Sequence, residues 1–134
     1  RLEDFILAPY KTDIQPHEIL TFITIKGLPG YREGYKRVTK RAAWAISRLS
    51  IAWAIQEKGG FYKDVKLAIG SCTPMPFRPR KVEDSLKDRA KDEKTIQVAV
   101  GEIIDEIIKV SGMRPSFVYK IPVVKALLED ILKG

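Results

Sequence analysis

The sequence predicts an α+β domain: a small antiparallel sheet of three to four strands with about three helices packed on one face. Three observations carry this. Two runs of alternating apolar residues flank Gly59-Gly60. Two long stretches of helical apolar spacing fill the last third of the chain. The β-type runs come early and the helical runs late, which is the order of a sheet covered by helices rather than of repeating βαβ units.

The first stretch, from Arg1 to Glu18, mixes apolar residues with Pro9 and Pro16 and shows no sustained period, so it reads as an extended lead-in with turns. In ILTFITIKGLPG, Leu20, Phe22 and Thr24 alternate with Ile19, Thr21, Ile23 and Ile25. β-Branched residues dominate and both faces are apolar, which predicts a central strand. Gly27, Pro29 and Gly30 stop it.

In YREGYKRVTKRAAWA, Lys36, Arg37, Lys40 and Arg41 have the spacing of one contiguous basic face on a helix, with Val38, Ala42 and Ala45 turned inward. The period then changes to two. Leu49, Ile51, Trp53 and Ile55 oppose Arg48, Ser50, Ala52 and Gln56, and after Gly59-Gly60 come Phe61, Lys63, Val65, Leu67 and Ile69. That is a β-hairpin. The frequent alanines also admit a helix over Ala42–Gln56, but the hairpin partner favours strand.

Gly70 to Pro79 is a Pro-rich exit, unsuited to a helix or a central strand. Arg80 to Lys94 is mostly charged and reads as a short surface helix and linker. Ile96, Val100, Ile103, Ile104, Ile107 and Ile108 define an amphipathic helix to about Val110, ended by Ser111-Gly112. Arg114-Pro115-Ser116 offers a cap for a last helix with Phe117, Ile121, Val124, Leu128 and Ile131 inward, and Pro122 should kink it or mark its start.

At 134 residues and 45% hydrophobic, the chain suits a single domain with a real core. No apolar stretch approaches the ~20 residues of a membrane helix, and no signal peptide is evident. The start at Arg1 rather than Met points to a trimmed chain or a piece of a larger one. These features predict a cytoplasmic domain. One cysteine, Cys72, excludes an internal disulfide framework and cysteine zinc sites. One histidine, His17, excludes His-rich metal sites and reads as a solvated loop residue.

The net charge of +7 admits nucleic acid, a phosphate-bearing small molecule, an acidic partner, or solubility alone. Tyr31, Tyr35 and Trp44 lie near the basic run, as stacking aromatics would, but no nucleic-acid-binding signature accompanies them. No nucleophile-elbow, zinc-protease, P-loop or dinucleotide glycine motif is present. Glu102, Asp105 and Glu106 read as a solvated helix face, and Cys72 has no evident activating base in its neighbourhood.

The motifs fall in a familiar order. Leu2 to Thr12 resembles "l-x-dFf-x-Gp-x-kT". Pro16-His17-Glu18-Ile19-Leu20 resembles "p-x-E-l-l". Tyr35-Lys36 and Lys40-Arg41 resemble "fxK" and its following Arg. Gly70 to Arg78 resembles "G-G-v-a-P-t-P-x-R", Glu83 to Leu86 "E-x-x-L", and Arg114 to Lys120 "R-x-S-x-x-Y-R". Together they are similar to the C-terminal domain of the FAD-binding (medium) subunit of molybdenum hydroxylases, the family of carbon monoxide dehydrogenase and xanthine dehydrogenase. The departures are Ala43-Trp44-Ala45 for "D-I-A", Asp88 for a Gly, and Lys120 for the closing Arg.

The resemblance implies one domain over residues 1–134, with the N-terminal FAD-binding domain absent from this chain. It implies a module without a complete active site of its own, closing over FAD held mainly elsewhere. Iron–sulfur clusters and molybdopterin would lie on a small and a large partner subunit. By the same resemblance Leu20 would pack against the cofactor and Lys36 would offer it charge, while Arg114, Ser116 and Tyr119 would be structural: a cap and a packed ring. The competing readings are a nucleic-acid-binding module using the basic helix, disfavoured for want of a signature, and a homo-oligomerisation domain.

Overall fold

The structure is a computed structural model, and it describes residues 1–40 and 46–134. Short elements open it: α1 (Leu2–Phe5), β1 (Ile6–Ala8) and β2 (Lys11–Thr12), the two strands pairing antiparallel. The main sheet follows, with β3 (Arg32–Thr39), β4 (Ser47–Lys58) and β5 (Phe61–Gly70) in the order β3-β4-β5, all antiparallel. Helices α2 (Arg80–Leu86), α3 (Glu93–Ser111) and α4 (Phe117–Lys133) complete the chain. The fold is α+β, as the order of patterns predicts.

One face of the sheet makes the core. Leu49, Ile51 and Ile55 of β4 and Val65, Leu67 and Ile69 of β5 are buried against Leu86, Ile96, Val100, Ile103, Leu128 and Ile131 of the helices. Period two on the strands and period 3.6 on the helices present apolar stripes to each other, and their burial drives the layer together. The hairpin turns at Gly59 and Gly60, whose φ values of 62° and 78° favour residues without Cβ. Asp92 caps α3 by accepting from the Thr95 amide at 2.7 Å, and Gly112 ends it at φ 68°.

Several expectations need correction. Ile19–Ile25 is in no strand: it runs between β2 and β3 without regular structure, and its large apolar side chains are exposed. Among the described residues, Phe5 and Ile14 come near its Leu20 end, and its other large apolar side chains are largely bare. The expected basic helix is strand β3 over the described residues. Pairing with β4 along its length makes it a strand, and at Gly34 a Cβ would lie 2.3 Å from the Trp53 ring, a close cross-strand approach that suits glycine. Arg41, Ala42, Trp44 and Ala45 lie outside the described residues.

Other differences are local. A register shift between Gln56 and Glu57 turns Tyr62 inward, so Phe61 is exposed where simple alternation had it buried. Helix α2 stops at Leu86, and Ala90 instead bridges to Phe61. Pro122 lies inside α4 without breaking it. Ser116 precedes that helix but makes no side-chain capping bond. Tyr119 is partly exposed rather than packed.

Candidate cofactor-facing site

Strand β3 decides where its polar residues go. Paired with Ile55, Trp53, Ile51 and Leu49, the residues Arg32, Gly34, Lys36 and Val38 face the helices. Arg32 Nη2 donates to Glu57 Oε1 at 2.9 Å and to the Ile131 carbonyl oxygen at 2.9 Å, and Lys91 Nζ donates to Glu57 Oε2 at 2.8 Å. Burial alone would raise the Glu57 carboxyl, but Lys91 and Arg32 together hold it below its ordinary value. Tyr62 Oη donates to the Leu132 carbonyl oxygen at 2.9 Å, and burial pushes its pKa up to about 12.

Lys36 forms an ion pair with Asp130 of α4, and this contact keeps the Asp130 carboxyl low. Its charge is therefore partnered within the domain, though both side chains keep solvent access. Leu20 sits elsewhere, in the β2–β3 connection. It is 56% exposed and lines a shallow hollow with Phe5, Ile14, Glu18 and Ile19. Glu18 shapes the turn before it, accepting from the Gln15 amide at 2.8 Å. As groups for a large aromatic cofactor the two candidates fit unequally: Leu20 is apolar and uncovered, and Lys36 is available only in exchange for Asp130.

The opposite face of the sheet carries Tyr35, Arg37, Ser50, Ala52 and Ala68 in adjacent register rows, without the helix layer. Because Lys36 and Arg37 point to opposite faces, the contiguous basic face expected for nucleic acid does not form among the described residues. At the β5 edge of this open face a cavity of about 420 Å³ is lined by Leu2, Ile6, Ala68, Met75, Pro76 and Arg78. Further along, Tyr31 donates to Asp64, which also pairs with Lys66.

One arrangement eluded the sequence reading. Arg78 forks onto Glu83, with Nε 3.2 Å from Oε1 and Nη2 2.6 Å from Oε2, and Glu83 Oε1 also accepts from the Leu67 amide at 2.7 Å. Glu83 is only 6% exposed. The fork ties the Pro-rich exit and α2 to β5, and its signals in the sequence were the Arg five residues before a Glu and the two motifs that Arg78 ends and Glu83 opens. Cys72 is buried, and burial pushes its thiol up, as suits a core residue. His17, Glu102 and Asp105 are exposed. Among the described residues no group of His, Cys, Asp and Glu could hold a metal ion, and no helix is long and apolar enough to cross a membrane.

Comparison with known proteins places the fold and the family. The chain is 34% identical over 131 residues to the glyceraldehyde dehydrogenase medium chain of Sulfolobus acidocaldarius, covering 97% of this chain and 46% of that one. Its fold matches CO dehydrogenase from Oligotropha carboxidovorans with a TM-score of 0.78 at 20% identity, over 95% of this chain and 44% of that one. Quinoline 2-oxidoreductase from Pseudomonas putida 86 gives a TM-score of 0.77 at 17% identity, over 96% and 45%. The chain thus spans less than half the length of these relatives. Residues 34–134 match the sequence model of the CO dehydrogenase flavoprotein C-terminal domain, and the chain belongs to that family.

Proposed function

We propose that residues 1–134 act as one domain, the C-terminal domain of the FAD-binding subunit of a molybdenum hydroxylase-type oxidoreductase in the cytoplasm. The domain closes over one side of FAD held chiefly by another part of the subunit. It assembles with an iron–sulfur subunit and a molybdopterin subunit. FAD, when bound, supplies the redox chemistry; this chain's residues position and cover it.

The family match over residues 34–134 carries this reading. The site chemistry supports it. Leu20 offers exposed apolar surface to an aromatic ring system. Lys36 offers a cation to the cofactor or its phosphates when it leaves Asp130. Among the described residues, Cys72 is buried and Glu102 and Asp105 are exposed, so none of these three sits in a catalytic setting.

The test is to purify the complete encoded subunit and record its visible spectrum. A yellow protein with flavin absorbance is expected, and Leu20→Asp should lower flavin occupancy severalfold. A colourless protein with an intact FAD-binding region would overturn the reading.

A further inference from the structure

The cavity of about 420 Å³ at the β5 edge of the open sheet face is lined by neither Leu20 nor Lys36. Its volume falls within the roughly 300–1,000 Å³ of small-molecule sites. Its wall is chiefly apolar: Leu2 and Ile6 come from α1 and β1, Ala68 from β5, and Met75 and Pro76 from the Pro-rich exit. Arg1, Arg78 and Arg80 also line it, against a single carboxylate, Glu3. These cations are not equally free. Arg80 pairs with Glu3, and Arg1 lies 3.6 Å from the same carboxylate. Arg78 is held differently. The buried Glu83 carboxylate takes its Nε and Nη2 and is itself anchored to β5 through the Leu67 amide. One edge of a rigid, planar donor set is thus spent inside the fold, and Nη1 has no hydrogen-bond partner among the described residues.

We infer that this cavity binds a small organic monocarboxylate, whose two oxygens take the outer end of the Arg78 guanidinium and whose apolar body lies against Leu2, Ile6, Ala68, Met75 and Pro76. The site lies outside the FAD reading and does not depend on it. Three features select this ligand. An apolar wall rewards an apolar body, which loses water on entering. The free end of the guanidinium matches the planar pair of oxygens of a carboxylate. Glu3 lines the same cavity, so a second negative charge on the ligand is opposed, and a bare phosphate would give up its hydration without gaining anything from the wall. The Glu83 carboxylate acts as the positioning group: it fixes Arg78 before the ligand arrives, so little side-chain freedom is lost on binding.

Titration calorimetry of the complete subunit with octanoate tests this, with octanol as the uncharged control and inorganic phosphate as the control without an apolar body. Octanoate should bind at one equivalent, and about tenfold more tightly than either control, the gain expected of a charge-assisted pair over its neutral counterpart. Ala68→Phe puts a ring into the cavity and should weaken octanoate severalfold while leaving the flavin absorbance as it is. No binding of octanoate would overturn the inference, as it would if another part of the subunit fills the cavity. Octanol binding as tightly as octanoate would remove Arg78 from the site, and phosphate binding as tightly would remove the apolar wall; either refutes it. So would an unchanged octanoate affinity in Ala68→Phe, which places the ligand elsewhere. Should that variant fail to fold, the Met75 methyl resonance of the unmodified subunit decides: it should shift as octanoate is added, and an unmoved resonance would sink the site. A colourless subunit that binds octanoate spares the site and sinks the FAD reading; a yellow one that does not bind it does the reverse.

Discussion

Leu49, Ile51 and Ile55 of β4 are buried, while Ile19, Ile23 and Ile25 of the β2–β3 connection are exposed. The residue types are alike and the period is the same. What differs is the neighbourhood. Strand β4 has a partner on each edge and a helix layer on one face. The connection has no strand partner among the described residues, and these isoleucines have little cover. Alternation encodes the capacity to form a strand, and only a complementary surface realises it.

The largest test of that contrast uses Leu128, fully buried beneath the sheet. Leu128→Ala should cost about 2–5 kcal/mol in urea unfolding, the usual range for a collapsed or empty core site. Ile25→Ala in this 134-residue chain should fall within about 0.5 kcal/mol of the parent, because no cover is lost. A comparable loss at Ile25 would show that the connection is packed in solution.

The next effect belongs to the fork. Glu83→Ala removes the acceptor of the Leu67 amide and leaves Arg78 without its carboxylate. Losing a buried acceptor of this kind should cost about 2–3 kcal/mol, measured by thermal unfolding. An unchanged Tm would reduce the fork to a surface ion pair. Gly34→Ala should cost about 1–3 kcal/mol, since the Trp53 ring must move to admit the new methyl group. No loss would mean that β3 separates from β4 at this point.

Glu57 adds a pH dependence. Its folded pKa lies below the ordinary 4.5, so its contribution to stability is present above that value and fades as pH falls through the folded pKa. Unfolding midpoints should therefore drop below about pH 4.5, and Glu57→Gln should flatten that part of the curve. An identical pH profile for the variant would remove Arg32 and Lys91 from the account.

The sequence shows some of this plainly and hides the rest for physical reasons. The β4–β5 hairpin and α3 are legible because a Gly-Gly turn and a clean period leave little choice. Strand β3 is not, because Lys36, Arg37 and Lys40 fit a helix face as well as a strand, and only pairing with β4 decides. The exchange of Phe61 for Tyr62 in the core depends on a bulge that leaves no mark in composition. Leu20 and Lys36 became site candidates through resemblance alone. The side of the sheet on which Lys36 lies follows from cross-strand register, which is a tertiary fact.

Lys36 gives the smallest expected effect on stability and a discriminating one for the site. Its pair with Asp130 is solvent-accessible, so Lys36→Met and Asp130→Asn should each leave the unfolding midpoint nearly unchanged. Their effects on flavin occupancy in the complete subunit should differ in sign. Asp130→Asn frees the ammonium and should tighten flavin binding if Lys36 serves the cofactor, whereas Lys36→Met should weaken it. Equal and negligible changes in flavin titrations of both variants would leave the pair as a strap between β3 and α4. The apolar surface of Leu20 would then be the only contribution of the two candidates to the cofactor, and the contrast between the covered and uncovered regions would extend to function as well as packing.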